Sequence, residues 1–119
     1  MRNTVKSARL RRAKATRIKI SNSSRYRLLI HRSNKHIYAQ VLDPSSKTVI
    51  VSASTAEAEI KKQYPNGGSI EAAKYIGKLI AEKSLKSKID EVAFDRSGFK
   101  YHGRIKALAE AARSQGIKF

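Results

Sequence analysis

A chain of 119 residues with 40% hydrophobic content can bury one modest core and not two. Its 26 Lys and Arg against 9 Asp and Glu give a net charge of +17, well beyond what solubility requires, so a polyanion is the expected partner. Cysteine is absent, which excludes a disulfide framework and a thiolate metal site and fits a reducing compartment; the longest apolar runs, such as Leu28-Leu29-Ile30 and Val49-Ile50-Val51, are far short of a membrane span, so a soluble, cytoplasmic protein is expected.

The charge is uneven along the chain. Residues 1–42 carry 12 Lys and Arg and no acid, and the remaining 77 carry 14 cations against all 9 acids. Residues 1–24 therefore read as a basic arm laid along nucleic acid, with Arg2, Lys6, Arg9, Arg11, Arg12, Lys14, Arg17 and Lys19 as its phosphate contacts. A transit peptide has a similar composition, but here the basic stretch runs without a break into a strand pattern. The cations would surround any helix and the arm has too few apolar residues for a core. It is expected to be disordered when free and to order on its target.

Residues 25–119 read as a single globular domain. Residues 26–32 and 37–42 alternate apolar and polar positions around the turn Ser33-Asn34-Lys35-His36, an antiparallel hairpin. Asp43-Pro44-Ser45-Ser46 is a second turn and residues 48–54 a third strand. A short helical piece of unclear role then reaches Tyr64 and the breaker Pro65-Asn66-Gly67-Gly68. Ser69 has the character of an N-cap, and Ile70, Ala73, Ile76, Gly77, Ile80 and Ala81 form a core-facing stripe at helical spacing. Val92-Ala93-Phe94 is a buried strand reached by a helical crossover and therefore parallel to its neighbour; a last helix runs from about Gly103 to a stop at Gly116. A right-handed crossover places the fourth strand beside the first. The expected fold is α/β, a mixed four-stranded sheet in the order 3-2-1-4 with two packed helices, β-β-β-α-β-α, behind the basic arm.

Function points to the stretch after the fourth strand. In residues 95–104, Arg96, Lys100 and Arg104 can reach phosphates, Phe99, Tyr101 and His102 can stack on bases, and Gly98 and Gly103 let a backbone approach closely. The plainer alternative is a solvated loop with a buried aromatic or two. Arg32, Ser33, Asn34, Lys35 and His36 with Tyr38 make a second polar and aromatic cluster, which could equally be an ordinary hairpin tip. His31, His36 and His102 lack metal-ligand spacing, so no metal and no cofactor is expected. A two-metal nuclease would need an acid on the first strand, where only arginines and a histidine stand; Asp43 and Asp95 end strands two and four, and Asp95 suits orienting Arg96 or capping the loop. The chain is expected not to be an enzyme.

The run Phe94-Asp95-Arg96-Ser97-Gly98-Phe99-Lys100-Tyr101-His102-Gly103-Arg104-Ile105-Lys106-Ala107-Leu108-Ala109, with residues 32–41 and Ser52-Ala53-Ser54-Thr55 upstream, closely resembles the bacterial large-subunit ribosomal protein L18 family over nearly the whole length. The resemblance implies a non-enzymatic protein that binds 5S rRNA and helps attach it to the large-subunit rRNA in the central protuberance, near another 5S-binding ribosomal protein. Carried over by position, it makes the arm cations, residues 32–36, Ser54 and Thr55, and Arg96, Lys100, Tyr101, His102, Gly103 and Arg104 the RNA-facing set. A general polyanion-binding or DNA-binding module is the alternative that charge alone permits. The family often has two glycines where this chain has Ser97-Gly98, so a positive φ at the first would strain Ser97.

Overall fold

The computed structural model describes residues 5–21, 25–45 and 48–119. Its elements in chain order are α1 (Val5–Ser21), β1 (Tyr26–Arg32), β2 (Ile37–Leu42), β3 (Val49–Ser54), α2 (Ala58–Gln63), α3 (Ile70–Lys86), β4 (Val92–Asp95) and α4 (Gly103–Ser114). The sheet order is β3-β2-β1-β4, with β1 and β2 antiparallel from Arg27↔Leu42 to Arg32↔Ile37 and β4 parallel to β1 through Leu28↔Phe94 and Leu29↔Asp95. This is the expected sheet and strand order. It follows from strand alternation and the handedness of the crossover.

One face of the sheet presents Leu28, Ile30, Ile37, Ala39, Val41 and Ala53, all buried, to α3 and α4. Ser69 caps α3 by accepting a hydrogen bond from the Ala72 N–H at 3.1 Å, with Glu71 in the first turn and Lys83 and Lys86 in the last, the charge order that the helix dipole favours. Ile76 and Ile80 of α3 and Ile105 and Leu108 of α4 complete the core. The two helices press together at Gly77, where a Cβ would lie 2.2 Å from the Leu108 carbonyl oxygen. They therefore form one rigid layer.

Three features depart from or add to the sequence reading. Ile70, placed in the core stripe by periodicity, is 50% exposed, because the first residue of α3 reaches beyond the sheet it covers. The piece of unclear role is α2, a short helix that buries Ile60 and is followed by Tyr64, whose ring lies 5.0 Å from that of Tyr75. After Gly116, at φ +110, the last residues return to the sheet: the Lys118 N–H donates to the Asp90 carbonyl at 2.8 Å, its carbonyl accepts from Val92 N–H at 3.0 Å, and Phe119 stacks on Phe94 at 5.1 Å. Among the described residues no helix is long and apolar enough to cross a membrane.

Candidate nucleic-acid interface

Beyond β4 the backbone reverses sharply. The Phe99 N–H donates to the Arg96 carbonyl at 3.0 Å, and Ser97 and Gly98 between them have φ +57 and +78, the signature of a type I′ turn. Ser97 is thus in the left-handed region that disfavours a side chain. Two buried hydrogen bonds hold it there: its N–H donates to Asp95 Oδ1 at 2.9 Å and its Oγ donates to the Ile30 carbonyl at 2.8 Å. The second bond continues the β1–β4 ladder past its last paired residue, with a hydroxyl in place of a backbone N–H. Asp95 is fully buried and caps the turn, one of the two roles expected of it, and the Arg27 Nε lies 3.8 Å from its Oδ2. Ser97→Ala keeps the strain and loses the hydroxyl, so it is expected to lower the unfolding free energy by about 1–2 kcal/mol. Ser97→Gly should cost less, since relief of about 1 kcal/mol of backbone strain offsets the lost bond; urea unfolding of both variants checks the order.

The turn's carbonyls face α1. Arg9 Nη1 donates to the Ser97 carbonyl at 3.0 Å and Arg12 Nε to the Gly98 carbonyl at 3.1 Å, while Ala13 is buried against the same turn. Gly98 permits this approach, because a Cβ there would lie 2.1 Å from the Arg9 carbonyl oxygen. The arm cations thus divide: Arg9 and Arg12 hold the arm to the domain, and Arg11 and Lys14 are exposed. Arg2 and the side chains of Lys6, Arg17 and Lys19 lie outside the described residues.

At the hairpin tip, the Ser33 N–H donates to the His36 carbonyl at 2.9 Å, and Ser33, Asn34 and Lys35 are exposed. Thr55 is fully buried below them. Its Oγ1 accepts the Ile37 N–H at 3.0 Å and lies 3.1 Å from His36 Nδ1, so its hydroxyl is occupied in shaping the tip. Ser54 Oγ accepts the Ala56 N–H at 3.0 Å at the start of the next turn. Tyr38 is half-buried with its ring 6.2 Å from His31.

The end of β1, the start of α3, the β4–α4 loop and α1 border a cleft of about 860 Å³ lined by Arg9, Arg12, His31, Arg32, Ile70, Phe99, Lys100, His102, Gly103 and Arg104. None of these residues is acidic. Arg9 and Arg32 lie over the Phe99 ring at 4.5 and 4.8 Å from its centroid, so this aromatic organises two guanidiniums as well as offering a stacking surface. Arg104 Nη1 is buried with no hydrogen-bond partner. Burial, and next the charge of Arg32, lower the Arg104 pKa from its ordinary value. The attraction of an anion bound beside the two arginines would act against both effects. The first turn of α4 adds donors to the same place, since His102 stands at the N-cap in an extended conformation without a side-chain cap.

The structure therefore brings Arg9, Arg12, Arg32, Lys100, His102, Gly103 and Arg104 of the expected set to one cleft. Tyr101 is turned elsewhere: its ring meets Phe94 edge-on at 6.3 Å and its hydroxyl accepts from Arg113 Nη1 at 3.2 Å. Arg96, Lys35, Ser33 and Asn34 lie outside the lining. His31 and Ile70 line the cleft but were not anticipated as binding residues; only the adjacency of His31 to Arg32 could have indicated the first, and helical periodicity misdirected the second.

The family described as ribosomal L18 of archaea, bacteria, mitochondria and chloroplasts matches residues 3–119. The large ribosomal subunit protein uL18 of Nitrosomonas europaea is 75% identical over 114 residues, covering 96% of both chains. Its namesakes from Nitrosospira multiformis and Hydrogenovibrio crunogenus are 58% identical over 119 residues, spanning both chains in full, and 54% identical over 114 residues, spanning 96% of this chain and 97% of the other.

Proposed function

The chain belongs to the ribosomal L18 family, and from that premise we propose that it is a structural constituent of the large ribosomal subunit that binds 5S rRNA and helps attach it to the large-subunit rRNA in the central protuberance, beside another 5S-binding ribosomal protein. The observation that carries the RNA reading is Arg104. A buried guanidinium nitrogen without a protein partner, sharing with Arg32 a cleft lined by no acid, is satisfied and charge-compensated when a phosphate or similar anion enters. The RNA face comprises this cleft, the exposed tip cations and the outward cations of the arm.

The arm and the cleft have separate parts in this reading. α1 has no apolar stripe, and its described contacts with the domain include two arginine–carbonyl bonds, the Arg9 guanidinium over the Phe99 ring and one buried alanine, all at β4 and the turn after it. α1 is accordingly held lightly to the domain, and RNA contacts along its exposed cations fix it in place.

Filter binding of 5S rRNA, with random duplex DNA and unrelated duplex RNA as competitors at about physiological salt, tests the proposal. The 5S complex should resist either competitor in excess of about a thousandfold. Equal competition would leave only a general polyanion-binding module.

A further inference from the structure

The segment Pro65-Asn66-Gly67-Gly68 lies between the hairpin tip and Arg104 of the cleft. Neither Gly67 nor Gly68 takes a positive φ, so glycine is not there for a left-handed turn. Its use is close approach. A Cβ on Gly67 would lie 2.6 Å from the Lys35 carbonyl oxygen, 2.8 Å from Thr55 Oγ1 and 3.0 Å from His36 Nδ1. A Cβ on Gly68 would lie 2.6 Å from the Asn34 carbonyl oxygen, and 3.7 Å from Arg104 Nη1. The hairpin tip thus rests its backbone directly on these two glycines, next to the unpaired arginine nitrogen.

The support beneath is firm. Asn66 Oδ1 accepts the Gly68 N–H at 3.2 Å and the Asn66 carbonyl accepts the Ser69 N–H at 3.2 Å, which ties the segment to the capped start of α3. α3 is in turn pressed onto α4 at Gly77, and α4 carries Arg104 in its first turn. A continuous path of backbone contacts therefore runs from the tip through residues 66–68 and the two helices to Arg104. Arg32, at the end of the strand leading into the tip, lines the same cleft as Arg104.

We infer that residues 66–68 are a positioning element of the RNA-binding cleft: they seat the hairpin tip so that Arg32 is held in the cleft it shares with Arg104, where one phosphate can engage both. The inference rests on the proposed RNA function. Its effect passes through the two arginines and not through any contact of the glycines with RNA. A Cβ at Gly68 meets a backbone carbonyl, which cannot swing aside as a flexible side chain would, so the tip must lift.

A double-mutant cycle with full-length protein and 5S rRNA separates positioning from mere folding. Gly68→Ala should weaken 5S binding about tenfold with little change for an unrelated duplex of equal length. In an Arg104→Ala background the same change should cost less than about twofold, because the bridged pair is already gone. Asn66→Ala, which removes a hydrogen bond at the surface and leaves the glycines in place, should show a smaller loss with the same dependence on Arg104, and serves if Gly68→Ala fails to fold. Additive losses in both cycles, equal losses on both RNAs, or no loss would overturn the inference. If the unmodified protein does not prefer 5S rRNA, the functional reading fails, whereas the cycle can still be measured on the duplex it binds; a preference for 5S with additive cycles defeats the positioning role alone.

Discussion

Replacing Arg104 with alanine is expected to weaken 5S rRNA binding by about ten- to a hundredfold, the equivalent of one charge-assisted hydrogen-bonded contact of about 1.5–3 kcal/mol. An unrelated duplex should lose only a few-fold, since it meets the same surface as a field of cations and not as a fitted site. The free protein should not be destabilised. Arg104 is desolvated, shares its cleft with Arg32 and has an Nη1 with no protein partner, so its removal relieves a cost that the unbound fold carries. Lower affinity with equal or higher thermal stability is therefore the signature, and it is opposite to that of a substitution that merely damages the fold. Arg104→Lys should rescue poorly, because a single ammonium cannot reproduce the planar fork that spans two phosphate oxygens. Equal losses on 5S rRNA and on the unrelated duplex would remove the docking role of this residue.

The sheet was legible in the sequence because each strand carries its own evidence. Leu28 and Ile30, then Ile37, Ala39 and Val41, alternate with polar neighbours, and the wholly apolar start of β4 marks a strand reached by a helical crossover. The caps were legible for the same local reason, Ser69 at the start of α3 and Gly116 after α4. What escaped is non-local. The arm docks through the carbonyls of Ser97 and Gly98, and a carbonyl acceptor has no residue signature. Gly67 and Gly68 read as a breaker, although what requires them is the backbone of the hairpin tip, some thirty residues away. Tyr101 had the composition of a stacking residue, but Phe94 and Arg113 draw its ring and hydroxyl toward the C-terminal residues. Asp95 was recognisable as a cap because a carboxylate two residues before a turn accepts its N–H; that Arg27 would be the neighbouring cation depended on the parallel register of β1 and β4.

Deleting residues 1–22 is expected to flatten the salt dependence of RNA binding while leaving the domain folded. If about six phosphates are engaged by the whole protein, affinity should fall roughly a thousandfold between about 50 and 200 mM salt, and the truncated chain should lose a much smaller factor over that range. The fold should survive because the described contacts of α1 with the domain lie at β4 and the turn after it, and the core that α3, α4 and the sheet share includes no residue of α1. Gly98→Ala supplies the contrast. A Cβ there collides with the backbone of α1 at Arg9 and strains a residue at φ +78, so it should release the arm from the turn without removing a charge. Its salt slope should stay close to that of the unmodified protein, while its preference for 5S rRNA falls, because Arg9 and Arg12 no longer hold their places at the edge of the cleft. A slope unchanged by the deletion would mean that the folded face makes the phosphate contacts alone; a slope flattened as much by Gly98→Ala would mean that the arm acts as a docked helix and not as a mobile polycation.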